Sequence, residues 1–180
     1  MVTIEAATIE GVNYVNQRMS SLDLLEIGAI SFTEDPEIIG QQLFQMCENG
    51  YAWIFSRDGK PEAFYGCHEG IPGIWFVCGF RTDDFHKVKF TVSKFIKKRI
   101  IPILMGQGAR KAISLVRGQG NEWLQMLGAK PLVTYKDWGK DGSDYTLLCW
   151  DRKDFLNECS KGSTGIKQDE GAGTTATYQP

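Results

Sequence analysis

No apolar run in the 180 residues approaches the roughly 18 needed to cross a membrane as a helix. The first ten residues, MVTIEAATIE, lack the basic flank and apolar middle of a secretory leader. These two absences predict a chain that is made in cytoplasm and stays there, with no membrane partner. Charge of one sign is lacking too: 20 basic and 22 acidic residues leave a formal net charge of −2. No global field recruits nucleic acid, which is not expected as a partner. Histidine is scarce at two residues, and the five cysteines (Cys47, Cys67, Cys78, Cys149 and Cys159) show no paired metal or redox spacing. Reduced thiols and no metal are expected. Cys67 and His68 are adjacent on a strand pattern and so point to opposite faces, which argues against a Cys-His nucleophile pair.

What is present suffices for one core, since hydrophobic residues make up 42% and aromatics 12% of the chain. Val2 to Ile9 predicts a strand, and Gly11 to Ile27 a helix with Val12, Val15, Met19, Leu22 and Leu25 on its apolar stripe. Asp35-Pro36 marks the start of a second helix that Gly50 would close. Two strand patterns, YAWIFSR and EAFYGCHEG, flank an Asp58-Gly59 corner and predict a hairpin. GIWFVCGF adds a strand apolar enough to be buried on both faces. From Asp84 to about Met105, apolar residues recur at steps of three and four, and Pro102 predicts a kink or stop near the last turn. A strand over RKAISLVRG, a short helix over WLQMLGA stopped at Gly128, and two strands, PLVTYKDW and DYTLLCW, follow. The expected domain covers residues 1–159. Residues 160–180, poor in large aliphatics and rich in Gly, Thr and charge, read as a tail without a fold of its own.

This order of segments resembles the acyl-CoA N-acyltransferase fold of the GNAT superfamily, over about residues 2–150. That resemblance implies an α+β domain with a central, mostly antiparallel sheet flanked by helices. WFVCGF, a lysine-rich helix with no glycine loop before it, WLQMLGA and YTLLCW together are similar to the internal virion protein A family of short-tailed, T-seven-like phages. The narrower likeness implies a protein of the infected host's cytoplasm or the virion interior.

The superfamily holds the diphosphate of acetyl-CoA on a glycine-rich loop that opens the long helix. In GFRTDDFHKVKF, Arg81 is there, but no glycine lies between it and Met105, and Asp83 and Asp84 stand where phosphates would sit. Two like charges about 4 Å apart cost roughly 4 kcal/mol at an effective dielectric near 20. No Glu, Asp or His lies on GIWFVCGF to act as a base, and Leu124 stands where a tyrosine acid often does. Tyr135 and Tyr145 are placed on the wrong elements. The chain is therefore expected to be non-enzymatic and cofactor-free, acting in virion assembly or the internal core through contacts with other phage proteins.

The surfaces expected to do this are the tail and the basic helix face of Lys87, Lys94, Lys97, Lys98 and Arg99. The alternative is an acetyl-CoA-dependent N-acetyltransferase with Arg81, Thr82, Asp83, Asp84 and Phe85 as the cofactor-binding residues. It would take its base from Glu62 or His68 and have a pocket between the strands ending at Phe80 and beginning at Arg110. A second alternative is an inhibitor of a host protein.

Overall fold

The computed structural model describes residues 1–47, 50–118 and 122–154. Seven strands form one mixed sheet in the order β1-β2-β3-β4-β5-β7-β6. They are β1 (Val2–Ala6), β2 (Tyr51–Arg57), β3 (Lys60–Ile71), β4 (Ile74–Arg81), β5 (Lys111–Arg117), β6 (Lys130–Tyr135) and β7 (Tyr145–Asp151). All neighbours pair antiparallel except β4 and β5. The α+β expectation holds. The β2-β3 corner is the anticipated Asp58-Gly59, both with positive φ (50° and 78°), which matches the right-handed twist of the flanking strands. No helix among the described residues is long and apolar enough to cross a membrane.

The expected single helix from Gly11 to Ile27 is corrected to two, α1 (Ile9–Asn16) and α2 (Ser21–Gly28). Ser20 ends the continuity because its hydroxyl caps the Asp23 N–H at 3.2 Å while its own N–H donates to the Arg81 carbonyl at 2.7 Å. Restarting at Ser21 resets the helical phase. Leu22 and Leu25, assigned to the apolar stripe, are 70% and 59% exposed, whereas Asp23 is buried. Helix α3 (Pro36–Met46) begins as its Asp35-Pro36 signal predicts, with the Asp35 carboxylate accepting from the Glu37 N–H at 2.9 Å. The Gly50 stop follows residues 48–49, which lie outside the described set.

The long helical run is a 3-10 turn (Asp83–Lys87), α4 (Lys89–Phe95), a π-helical turn (Ile96–Ile100) and α5 (Ile101–Gly106). The wide turn lies directly before Pro102, which has no N–H for an α-type bond. Its apolar side, with Val88, Val92, Ile96, Ile100 and Leu104, covers one face of the sheet. Helices α1 and α3 cover the other, around Val12, Val15, Ile54, Phe64 and Phe80. They approach closely at Gly40, where an added Cβ would lie 2.3 Å from the fully buried Asn16 amide. Gly40→Ala is expected to cost about 1–3 kcal/mol in urea unfolding by forcing the helices apart.

The short helix α6 (Glu122–Met126) follows β5 and buries Trp123 and Leu124, as its sequence implied. The sequence also suggests a flexible RGQG connection before α6 and a short helix capped by Asp151; residues 119–121 of the first, residues 155–159 of the second and the whole tail lie outside the described residues.

Candidate active site

Strands β4 and β5 run parallel but stay paired only from Ile74-Lys111 to Phe76-Ile113. Beyond that point they diverge, β4 remaining bonded to β3 and β5 to β7. Backbone groups on a strand alternate in direction. The Thr82 N–H donates to the Glu62 carbonyl on β3, so even-numbered β4 residues face β3 and odd-numbered ones face β5. The Val77 carbonyl and the N–H and carbonyl of Gly79 therefore point into the split with no strand opposite. By the same alternation, Leu115 and Arg117 face it from β5. Backbone polar groups in such a place require partners.

Helix α2 supplies one of them. The Asp23 carboxylate accepts from the Arg81 N–H at 2.8 Å and from the Arg81 guanidinium at 3.1 Å. One turn later, the Glu26 carboxyl lies near the Arg117 backbone on the other strand, which lowers its pKa against the effect of burial. The two acids thus stand together at the diverging ends, Asp23 bound to the Arg81 lip and Glu26 in the wall of the split. Tyr145 donates its hydroxyl to the Glu26 carbonyl, and Arg117 donates to the Leu25 carbonyl at 3.2 Å, which fixes the helix over the split. Burial and the nearby Asp23 charge push the Glu26 carboxyl up from its ordinary 4.5 to about 7, against the opposing pull of Arg81 and Arg117. A carboxyl poised near neutrality in a cleft is a general-base candidate.

Space is present on both sides of the split. A cleft of about 430 Å³ opens on the side of α2 and α3, with Glu26, His68, Val77, Gly79 and Leu115 in its wall. Facing the long helix, Val77, Gly79 and Ser114 also line a smaller space of about 60 Å³ bounded by Tyr65, Trp123 and Leu124. The pocket expected between the strands ending at Phe80 and beginning at Arg110 is there.

The five residues assigned to a cofactor are placed less simply. Arg81 is held by Asp23 and lies over the Phe85 ring, 5.1 Å from its centroid. Thr82 spends its N–H and its hydroxyl on Glu62. Phe85 is buried edge-on to Trp123 at 5.3 Å, and its N–H goes to the Thr82 carbonyl at 3.1 Å. Asp84 pairs with Lys87 at 2.6 Å, and Asp83 and Asp84 line a shallow depression with Arg18 and Lys60. The acids at this junction are thus counter-charged.

Of the two suggested bases, Glu62 is buried at the far end of β3, against Thr82. His68 reaches the cleft, stacked on Phe76 at 5.5 Å, with burial lowering its pKa and no partner for its buried Nδ1. Tyr135, placed by sequence on the wrong element, also lines this cleft. The basic face is exposed, and Lys94, Lys97, Lys98 and Arg99 pair with no carboxylate among the described residues. Glu26 was missed in sequence; the signal was two acids three apart, directly after a capping serine.

No protein-family model matches the chain, and no curated protein matches it in sequence. Solved structures do share its fold. An N-acetyltransferase from Staphylococcus aureus Mu50 superposes with a TM-score of 0.66 at 13% identity, over 84% of this chain and 99% of that one. The ribosomal-protein-S18-alanine N-acetyltransferase of Escherichia coli gives 0.61 at 14%, over 84% and 94%. The proposed acetyltransferase yncA of Salmonella typhimurium, solved with its cofactor acetyl-CoA, gives 0.62 at 10%, over 84% and 94%. The fold is that of the GNAT N-acetyltransferases. The expectation of a non-enzymatic virion protein is corrected by these likenesses, which are to acetyltransferases. Its premise that β4 carries no Glu, Asp or His holds, but it left out Glu26, which lines the split from α2.

Proposed function

We propose that the chain is an acetyl-CoA-dependent N-acetyltransferase whose reaction takes place in the split between β4 and β5. The observation that carries this reading is the Glu26 carboxyl, poised near neutrality beside strand-edge groups that have no strand to pair with. The fit of an acetyl-CoA molecule divides in two. Its amide-bearing arm is suited to the Val77 carbonyl and the Gly79 N–H and carbonyl, in the manner of a peptide adding to a sheet edge. Its diphosphate is not matched by a glycine loop, since the amides of Thr82 and Phe85 are already used. Exposed donors of the basic helix are the groups left to meet it. Acetyl-CoA would supply the acyl group as a thioester, exchanging its C–S bond for the new C–N bond with release of a thiol.

Glu26 takes the proton that an acceptor ammonium must lose. The Tyr145 hydroxyl on the Glu26 carbonyl and the Arg117 guanidinium on the Leu25 carbonyl keep this turn of α2 over the split. Asp23, Arg81, Arg117, Tyr65 and Tyr145 are the other titratable or charged groups facing Glu26, and His68 shares its cleft. Because a base acts only when ionised, transfer is expected to rise about tenfold per pH unit below 7 and to level off above it. Thiol release from acetyl-CoA with a panel of primary amines, followed from pH 5 to 9, tests this. A flat profile over that range, or no release with any amine, would overturn it.

A further inference from the structure

We infer that the acceptor is a primary monoamine with an apolar, aromatic body and no anionic group, seated in the cleft beneath α2 and α3. This deepens the acyl-transfer reading and rests on it.

The cleft walls decide the class. Ile27, Leu43, Phe76, Tyr135, Trp138 and Leu147 give it an apolar lining that no lysine or arginine joins among the described residues. An amino acid, or an amine bearing phosphate or sulfate, would bury its anion without a counter-charge, which is strongly disfavoured. A single carboxylate, Glu26, meets one ammonium, so a polyamine would leave charges unpaired. At about 430 Å³ the volume lies in the range that encloses a small organic molecule.

Aromatic faces line two sides. Tyr135 and Trp138 pack at 4.7 Å on one, and His68 stacks on Phe76 on the other. Flat rings prefer such offset or edge contacts, which favours an aromatic body over a branched aliphatic one. The unpartnered Nδ1 of His68 adds one place for a single polar substituent on that body. A peptide N-terminus fits less well. Each residue would carry an amide N–H and carbonyl into a mainly apolar wall, whose polar side chains are Glu26, His68, Ser114 and Tyr135 and whose Val77 and Gly79 edge groups are taken by the arm of the thioester in this reading.

The test uses the full chain and three probes: 2-phenylethylamine, phenylalanine, and a tripeptide beginning with alanine. Binding is measured by calorimetry without any thioester, and acetyl transfer separately by mass spectrometry. The expected result is that 2-phenylethylamine binds at least tenfold tighter than either competitor. Trp138→Ala, at a half-exposed position, is expected to weaken it about tenfold while the circular dichroism spectrum stays unchanged. Equal or tighter binding of phenylalanine or the tripeptide would overturn the assignment, and so would indifference to Trp138→Ala. Selective binding of 2-phenylethylamine without transfer would uphold the amine site and count against the acyltransferase reading. Transfer to the tripeptide alone would do the reverse.

Discussion

Glu26→Gln is expected to lower acetyl transfer by 100-fold or more at pH 7.5 and, in the same protein, to raise stability. The catalytic loss follows from removing a positioned base, a term of about 10²–10⁴ in rate. The stability gain follows from linkage. Glu26 has its folded-state carboxyl raised from 4.5 to about 7, so between these values the folded chain binds more protons than the unfolded one. Stability from this group is therefore lost as pH rises from about 4.5 through about 7. Above that window the ionised carboxylate costs the folded state on the order of 3 kcal/mol, less whatever water it retains. Glutamine keeps the size and a side-chain acceptor without the charge. Urea unfolding at pH 5 and pH 8.5 should show a gain of about 1–3 kcal/mol for the variant at pH 8.5 and under about 1 kcal/mol at pH 5. An equal effect at both pH values, or a destabilised variant, would mean that Glu26 serves as a strut rather than a poised base.

Asp23→Ala is expected to be the most damaging single change at the split. Arg81 is only 23% exposed in its side chain, and Asp23 10%. Truncating the acid removes the partner of both the Arg81 guanidinium and the Arg81 N–H. Breaking a buried pair from one side costs about 3–5 kcal/mol, and the partial exposure of Arg81 places this case near the lower end, about 3 kcal/mol. The double change Asp23→Leu with Arg81→Met removes both charges and should recover most of the loss. Chemical denaturation of the three proteins measures this. A single variant within about 0.5 kcal/mol of the parent would show that α2 is held over the split by other contacts.

Local chemistry made much of this fold readable in advance. Asp35-Pro36 marked a helix start, and Asp58-Gly59 between YAWIFSR and EAFYGCHEG marked a tight hairpin. The π-helical turn was half legible, since Pro102 announced a disturbance without saying whether the helix would stop or widen. What escaped was phase. Gly11 to Ile27 looked continuous because its apolar residues keep helical spacing through Met19, yet the Met19-Thr82 bridge and the Ser20 cap reset the second half. Once the phase is reset, Leu22 and Leu25 face outward and Asp23 and Glu26 face in. Nothing in the spacing of those four residues distinguishes the two settings, because the choice is made by a strand end some 60 positions later in the sequence. The functional reading turned on that choice. The sequence offers no base on β4 and leaves Glu62 or His68 to supply one, while Glu26 sits on a helix whose inward stripe reads as Val12, Val15, Met19, Leu22 and Leu25.

The diphosphate junction shows the same limit from the other side. Asp83 and Asp84 were judged as bare charges, but Lys87 pairs one of them, and Arg18 and Lys60 stand beside both. Their repulsion toward an anion is correspondingly weaker than a bare pair would exert.

Amide NMR titration of the full chain with acetyl-CoA is the most direct examination of the split as an acyl-transfer site. The predicted result is saturable binding, with the largest shift and the strongest gain in hydrogen-exchange protection at Gly79, and a smaller effect at Leu115 across the split. Unchanged Gly79 and Leu115 signals at millimolar acetyl-CoA, or changes confined to the basic helix, would contradict it.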